Sequence, residues 1–217
     1  MDQEATKAEG PRKRVRVVRH ELTYRIFHWT FFVLGVILTI TGLEIGGIFG
    51  NLPLIENVGA IHSVLGLALT FVLLAFFYYF IVSGEYHWYR LRRIPLSLKF
   101  FIMEAKAWLG IGPHVEEPIL YDDVNKRYVE KIIPTEVMVW WGYVGIGTIL
   151  IITGLILMFP ESMGFLFQIF SYAFVRSVHR FMMYVLVTVV IMHAYAAYVF
   201  GMLRAITFGD REELVKA

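Results

Sequence analysis

The chain has 217 residues, of which 58% are apolar, 18% are charged and 16% are aromatic, with a formal net charge of +2. Soluble domains have about 45–50% apolar and about 25% charged residues. This composition, with a mean hydropathy of +0.62, therefore indicates a membrane protein. The absence of cysteine excludes disulfides, thiolate metal sites, iron–sulfur clusters and covalently attached haem. The small net charge gives no support for nucleic-acid binding.

Four long uncharged runs predict four transmembrane helices, because a helix needs about 20 apolar residues to cross the hydrocarbon core of a bilayer. The runs without Asp, Glu, Lys or Arg are 26–43, 60–84, 137–160 and 181–203. They predict helices at about 24–46, 60–83, 136–159 and 176–204. A fifth apolar stretch, at 163–175, is too short to span. The predicted fold is an all-α membrane protein with a four-transmembrane-helix bundle.

Lys and Arg residues are distributed unevenly around these spans. They occur in the N-terminal segment 1–23, the connection 85–135 and the tail 205–217, whereas the connections 44–59 and 161–178 hold a single Arg between them. Positive charge accumulates on the cytoplasmic side of membrane proteins. We therefore predict that a membrane domain at 24–204 has both termini and the long loop in the cytoplasm.

The long loop has an apolar pattern of its own. Residues 96–109 place charged side chains between apolar ones with helical spacing, which predicts an amphipathic helix lying on the inner leaflet. The following stretch, 110–133, contains Pro113 and Pro118 and is predicted to be irregular.

Four of the seven histidines fall within or at the ends of the spans: His28, His62, His179 and His193. Ionisable residues are costly there and often functional, although a hydrogen-bonded packing role stays open for any one of them. His20, His87 and His114 lie outside the spans, and we assign them no ligand role.

The spacing of these histidines predicts two levels. His179 and His193 are fourteen residues apart, about 40° short of four turns, so they share a helix face about 21 Å apart along the axis. His62 begins the second span at the outer surface, at the depth of His179, and His28 lies deeper, at the depth of His193. Two cross-helix imidazole pairs suit two bis-histidine b-type haems.

Glycines and arginines near the histidines fit the same interpretation. Gly35 and Gly66 leave room for a flat porphyrin, although close helix packing is an equal alternative. Arg25 and Arg180 suit haem propionates, with interfacial anchoring as the alternative.

The segments that carry the histidines read RIFHWT (25–30), IHSVLG (61–66), VH (178–179) and IMHAY (191–195). They resemble the cytochrome b (gamma) subunit of membrane-bound formate dehydrogenases. That subunit belongs to a wider di-haem cytochrome b family with members in thiosulfate reductases and nickel–iron hydrogenases. The resemblance covers about residues 14–208.

This resemblance implies a subunit in the inner membrane of a prokaryote. An iron–sulfur subunit and a catalytic subunit would dock on its outer face, and electrons would pass through two haems to a quinone near the cytoplasmic side. His62 and His179 would hold the outer haem, and His28 and His193 the inner one.

One departure from the family concerns the quinone site. The formate dehydrogenase members have an Asn-x-Gly-Gln element before the third span, whereas this chain has IIPTE at 132–136. Thr135 and Glu136, together with His193, are the candidates for quinone binding here. A carboxylate at a helix N-terminus is also a favourable partner of the helix dipole.

Two other classes stay open. A haem-free membrane anchor would leave the two histidine levels as coincidence and would show no haem absorption bands. A stand-alone carrier resembling cytochrome b561 or a ferric reductase would need no iron–sulfur partner.

Overall fold

The computed structural model describes residues 13–49, 56–113, 115 and 118–216 of the chain. Residues 1–12, within the predicted basic segment, and His114 lie outside the described residues. The described part contains six α-helices: α1 (Leu22–Ile45), α2 (Val58–Val82), α3 (Ile94–Trp108), α4 (Pro134–Met158), α5 (Tyr172–Val199) and α6 (Leu203–Phe208). It also contains four short strands: β1 (Arg14–Val18), β2 (Leu120–Asp122), β3 (Arg127–Glu130) and β4 (Asp210–Leu214).

The four long helices α1, α2, α4 and α5 are the predicted spans. Each has the length and hydropathy to cross a membrane, and at most 6% of the residues in their apolar windows are buried within the protein. Their apolar side chains therefore face outward, where lipid can cover them. The protein is an integral membrane helical bundle, as predicted.

The ends of the spans follow from local backbone chemistry. The Ser171 hydroxyl accepts the Phe174 backbone N–H at 3.2 Å, an N-cap that starts α5 four residues before the predicted boundary of 176. Gly201, with φ +65°, separates α5 from α6, so the long helix stops at Val199 rather than 204. At the start of α4, the Glu136 carboxylate accepts the Ile133 N–H at 3.0 Å, which satisfies a backbone donor as the Glu of a capping box does.

The strands join both ends of the chain to the long loop. β1 pairs antiparallel with β4, from Arg14 opposite Leu214 to Val18 opposite Asp210. β2 and β3 form an antiparallel hairpin within the stretch predicted to be irregular, and a parallel bridge connects Tyr121 with Val215. Both termini and the loop therefore share one end of the bundle. We call this end the β face and the opposite end, with residues 46–49, 56–57 and 159–171, the far face.

Helix α3 confirms the predicted amphipathic helix of the long loop. Its buried residues, Ser97, Phe100, Glu104 and Ala107, recur at helical spacing and form one inward stripe. Large apolar side chains cover the outward side, including Leu96, Leu98, Phe101 and Trp108. Helix α3 thus has the surface of a helix that lies in a membrane interface.

Two apolar clusters lie at the β face. Phe80, Tyr89, Ile132 and Val137 form one, and Phe100, Ile119 and Ile133 form the other. Buried charges adjoin them: Arg19 donates to Glu213 at 3.1 Å and lies 3.6 Å from Glu136. Arg19 is 3% and Glu213 1% exposed, so this ion pair connects the two chain ends inside the protein.

His20 lies beside this ion pair, outside the spans. Its ring stacks on Tyr24 with the ring centroids 4.7 Å apart, and its Nδ1 is buried without a hydrogen-bond partner in the described part of the chain. Desolvation lowers the pKa of His20 well below its usual value, and further lowering comes from nearby positive groups, namely Arg19, Lys131, His28 and Arg25. A neutral His20 is therefore the form that the folded protein favours.

Candidate functional site

The four membrane histidines form two pairs, each between different helices. His62 of α2 faces His179 of α5 with the ring centroids 6.3 Å apart and the ring planes at 76°. His28 of α1 faces His193 of α5, also at 6.3 Å, with the planes at 44°. These are the partners that the sequence predicted.

The separation of the rings is the one expected for two imidazoles on opposite sides of one metal ion. A metal–imidazole nitrogen bond is about 2 Å long, and the centre of a five-membered ring lies about 1.2 Å behind that nitrogen. Two such ligands in line therefore have centroids about 6.4 Å apart, close to the observed 6.3 Å. Other ring pairs of the bundle reach the same separation, as Phe76 and Phe77 do at 6.3 Å, so the chemistry of the four rings as imidazoles, together with the distance, is what points to a metal.

Each pair supplies two protein ligands. In the described part of the chain, no group of three or more His, Cys, Asp or Glu side chains gathers in a geometry that could hold a metal ion. A bare metal ion usually needs three or four protein ligands. Two opposed imidazoles instead suit an iron whose other ligands come from a porphyrin.

The two pairs lie at different depths of the bundle. His179 follows the start of α5 at the far face, and His193 is fourteen residues nearer the β face, a rise of about 21 Å along a helix. The α5 helix runs from Tyr172 to Val199 without interruption, so it holds one ligand of each pair on a rigid element.

Two threonines that the sequence reading did not assign to the site lie behind the far-face pair. Thr41 Oγ1 is 2.8 Å from His62 Nδ1, and Thr153 Oγ1 is 2.8 Å from His179 Nδ1. Thr41 is fully buried, and it is the one buried residue of α1, a helix that is described in full. The signal in the sequence is the repeated Thr-Gly-Leu at 41–43 and 153–155.

The other pair has a different polar environment. His28 Nδ1 is buried and has no hydrogen-bond partner among the described residues. The ring of Tyr143 packs edge-on against His193 with the centroids 5.8 Å apart. His28 thus lacks the hydroxyl partner that Nδ1 has in both histidines of the far-face pair.

The glycines near the histidines have two roles. A Cβ added to Gly35 or Gly66 would meet no atom within 4 Å, as at most of the described glycines, and their role beside a porphyrin stays a prediction. A Cβ on Gly42 would lie 3.3 Å from His62 Cε1, and one on Gly154 would lie 3.4 Å from His179 Cε1. These two glycines allow the imidazoles to approach α1 and α4 closely.

The arginines predicted near the cofactor are anchored to backbone carbonyls. Arg25 Nη1 donates to Thr207 O at 2.8 Å, and Arg180 Nη2 donates to Gly46 O at 2.5 Å. Arg25 Nε is buried without a partner in the described part. A guanidinium has five N–H donors, so each anchored arginine retains donors for a carboxylate.

The residues predicted for quinone binding lie toward the β face. Glu136 caps α4 and faces Arg19, while Thr135 beside it is partly exposed. Tyr143, which contacts His193, is seven residues further along α4, so Glu136 is about 10 Å nearer the β face than Tyr143. Glu136 therefore lies about 10 Å along α4 from the tyrosine that contacts His193.

The fold and the site together define a class of protein: a four-span membrane bundle with stacked cross-helix histidine pairs. The sequence profile of the family described as prokaryotic cytochrome b561 matches residues 19–207, which include all four spans and all four histidines. The chain belongs to this family of membrane cytochromes. A search of curated proteins gives no match.

Membership in the family implies a b-type haem and a role in electron transfer across the membrane. The residues present fit such a group, because two imidazole pairs from different helices lie at a separation that accommodates an iron between the rings. The formate dehydrogenase gamma subunit is a narrower assignment, which the family match does not make.

Proposed function

We propose that the chain is the di-haem b subunit of a respiratory oxidoreductase complex of the formate dehydrogenase type. It takes electrons from an iron–sulfur subunit at the far face and delivers them to a quinone near the β face. The observation that carries the proposal is the pairing of imidazoles from different helices, which occurs twice, at two depths, each time with the ring centroids 6.3 Å apart. When bound, b-type haem supplies reversible one-electron transfer at each level.

Each side chain of the site has a defined task. His62 and His179 hold the iron of the far-face group, and His28 and His193 hold the iron of the β-face group. The free N–H donors of Arg25 and Arg180 bind propionates, since charge-assisted pairs with carboxylates are strong. Gly35 and Gly66 leave space for the macrocycle.

The quinone would bind between the β-face histidine pair and the β face. His193 lies at the cofactor end of this region, and Thr135 and Glu136 lie at its β-face end, where protons can enter. The basic residues of this end favour a cytoplasmic position by the positive-inside rule. Electrons entering at the far face and protons taken up at the β face would charge the membrane, at about 2.3 kcal/mol per elementary charge per 100 mV.

Purification of the chain from native membranes tests the proposal. We expect two haems per chain in a pyridine haemochrome assay and co-purification of an iron–sulfur protein with a catalytic subunit. A haem-free preparation would instead identify a membrane anchor. A chain that purifies alone with haem and is reduced directly by a small molecule would identify a stand-alone carrier.

The docking face can be tested with a matched pair of substitutions. Ile169 at the far face and Val124 in the β2–β3 turn are both exposed apolar residues. Ile169→Glu should weaken co-purification of the iron–sulfur protein, and Val124→Glu should leave it unchanged. The reverse result would place the partner on the β face and would refute the proposed direction of electron entry.

A further inference from the structure

The Thr-Gly pair near the far-face end of α1 recurs in α4, and both pairs contact a histidine in the next span. Thr41 and Gly42 meet His62, and Thr153 and Gly154 meet His179. The hydroxyl-to-Nδ1 distance is 2.8 Å in both cases. The two halves of the bundle thus present the same arrangement to the two rings of one pair.

Each threonine hydroxyl has an acceptor for its own proton. Thr41 Oγ1 donates to Ile37 O at 2.9 Å, and Thr153 Oγ1 donates to Ile149 O, within its own helix. A neutral imidazole bound to iron through Nε2 keeps its proton on Nδ1. Nδ1–H then donates to the threonine oxygen, whose O–H donates to the helix carbonyl. The backbone carbonyls of Leu38 and Leu150 also lie within hydrogen-bonding reach of His62 and His179.

We propose that Thr41 and Thr153 are positioning residues that set the orientation of the far-face ligands and the reduction potential of the far-face haem. This inference rests on the proposed function. A hydrogen bond from the second ring nitrogen fixes the tautomer and the rotation of a ligand imidazole and raises its basicity. A more basic ligand stabilises the ferric state and lowers the reduction potential.

The β-face pair lacks this arrangement at His28, whose Nδ1 has no hydrogen-bond partner in the described part of the chain. The hydrogen bonds therefore make the two haems unequal, with the far-face haem at the lower potential. An electron passes spontaneously from lower to higher potential. The two threonines thereby favour flow from the far face toward the β face.

Potentiometric titration of the purified protein, followed in the haem α band, tests this role. Thr41→Val and Thr153→Val keep the side-chain shape and remove the acceptor. A lost outer-shell partner changes metal affinity by about 10–100-fold, and a tenfold loss of preference for ferric iron raises a one-electron potential by about 59 mV. We expect an upward shift of this order in one haem, with the other unchanged.

Matched variants separate the hydrogen bond from helix packing. Thr39 and Thr148 bond carbonyls of their own helices, Gly35 O and Val144 O, so Thr39→Val and Thr148→Val should leave both potentials in place. Thr41→Ser and Thr153→Ser retain the hydroxyl and should restore the wild-type potential.

The outcomes are distinct. Valine variants that shift neither potential, or controls that shift it equally, would overturn the role of the threonines. If a valine variant loses one haem, retention of both haems in the serine variant supports the role, and equal loss in the serine variant refutes it. A wild-type protein without haem would refute the proposed function instead.

Discussion

Replacement of His62 by alanine should remove one haem and leave the other. The substitution deletes one of two rings whose centroids lie 6.3 Å apart. The Thr41 hydroxyl behind the lost ring cannot replace the ligand. It lies 2.8 Å beyond Nδ1 and therefore about 7 Å from a metal bound at Nε2, against a bond length of about 2 Å. Losing a direct ligand costs more than losing an outer-shell partner, which already lowers affinity by about 10–100-fold.

The fold itself should survive this change. The variant loses one hydrogen bond, worth about 0.5–1.5 kcal/mol, while Thr41 keeps its bond to Ile37 O. The assay is the pyridine haemochrome stoichiometry together with a redox titration that identifies the remaining haem. His87→Ala, at an exposed residue outside the spans, is the control and should keep both haems.

The reciprocal variant tests the pairing. His28→Ala should remove the other haem and keep the one that His62→Ala loses. If both variants lost the same component, or if His62→Ala kept two haems, the assignment of His62 with His179 and of His28 with His193 would be wrong.

Three further predictions concern the membrane topology and the β face. Val124 and Ile169 are 89% and 72% exposed, and cysteines introduced at these positions should be labelled from opposite sides of the membrane. Val124→Cys should react with a reagent on the cytoplasmic side. Labelling of both cysteines from one side would contradict the four-span topology. Arg19→Met removes one of the two arginines paired with the buried Glu213, which keeps Arg211 at 3.0 Å. In a denaturant titration in detergent it should therefore cost less than the about 3–5 kcal/mol of an uncompensated buried charge, and an unchanged unfolding midpoint would contradict the contribution of the Arg19–Glu213 pair. The lowered pKa of His20 means that the unfolded chain binds the proton first as pH falls. The contribution of His20 to stability should therefore be complete above about pH 6.5 and decline below it by up to about 1.4 kcal/mol per pH unit. His20→Phe should flatten this pH dependence, and an identical slope would assign it to other groups.

The spans and the histidine levels could be predicted because helical geometry is regular. Fourteen residues on a helix fix both the rise and the angle between two side chains. Uncharged runs of sufficient length likewise have one stable arrangement in lipid. These rules need no knowledge of what packs against α5, so the partners of His179 and His193 followed from depth alone.

The β face was not predicted, because its structure depends on contacts between distant parts of the chain. β1 carries alternating Arg and Val, but the acidic β4 that pairs with it begins almost two hundred residues later. No local pattern in the sequence joins the two strands. The same holds for Thr41 and Thr153, whose repeated Thr-Gly-Leu is visible in the sequence but whose histidine partners belong to other helices.

The distribution of packing in the molecule has a functional consequence. The named apolar clusters and the buried ion pair lie at the β face, where they join both chain ends to the start of α4. Near the far face, hydrogen bonds and glycine contacts around the histidines hold α2 against α1 and α5 against α4, and Arg180 of α5 donates to Gly46 O just after α1. A group that binds only the folded histidine pairs stabilises the fold by mass action. Cofactor binding would therefore complete the bundle interior at the levels where electrons cross, while the β face holds the helices in register.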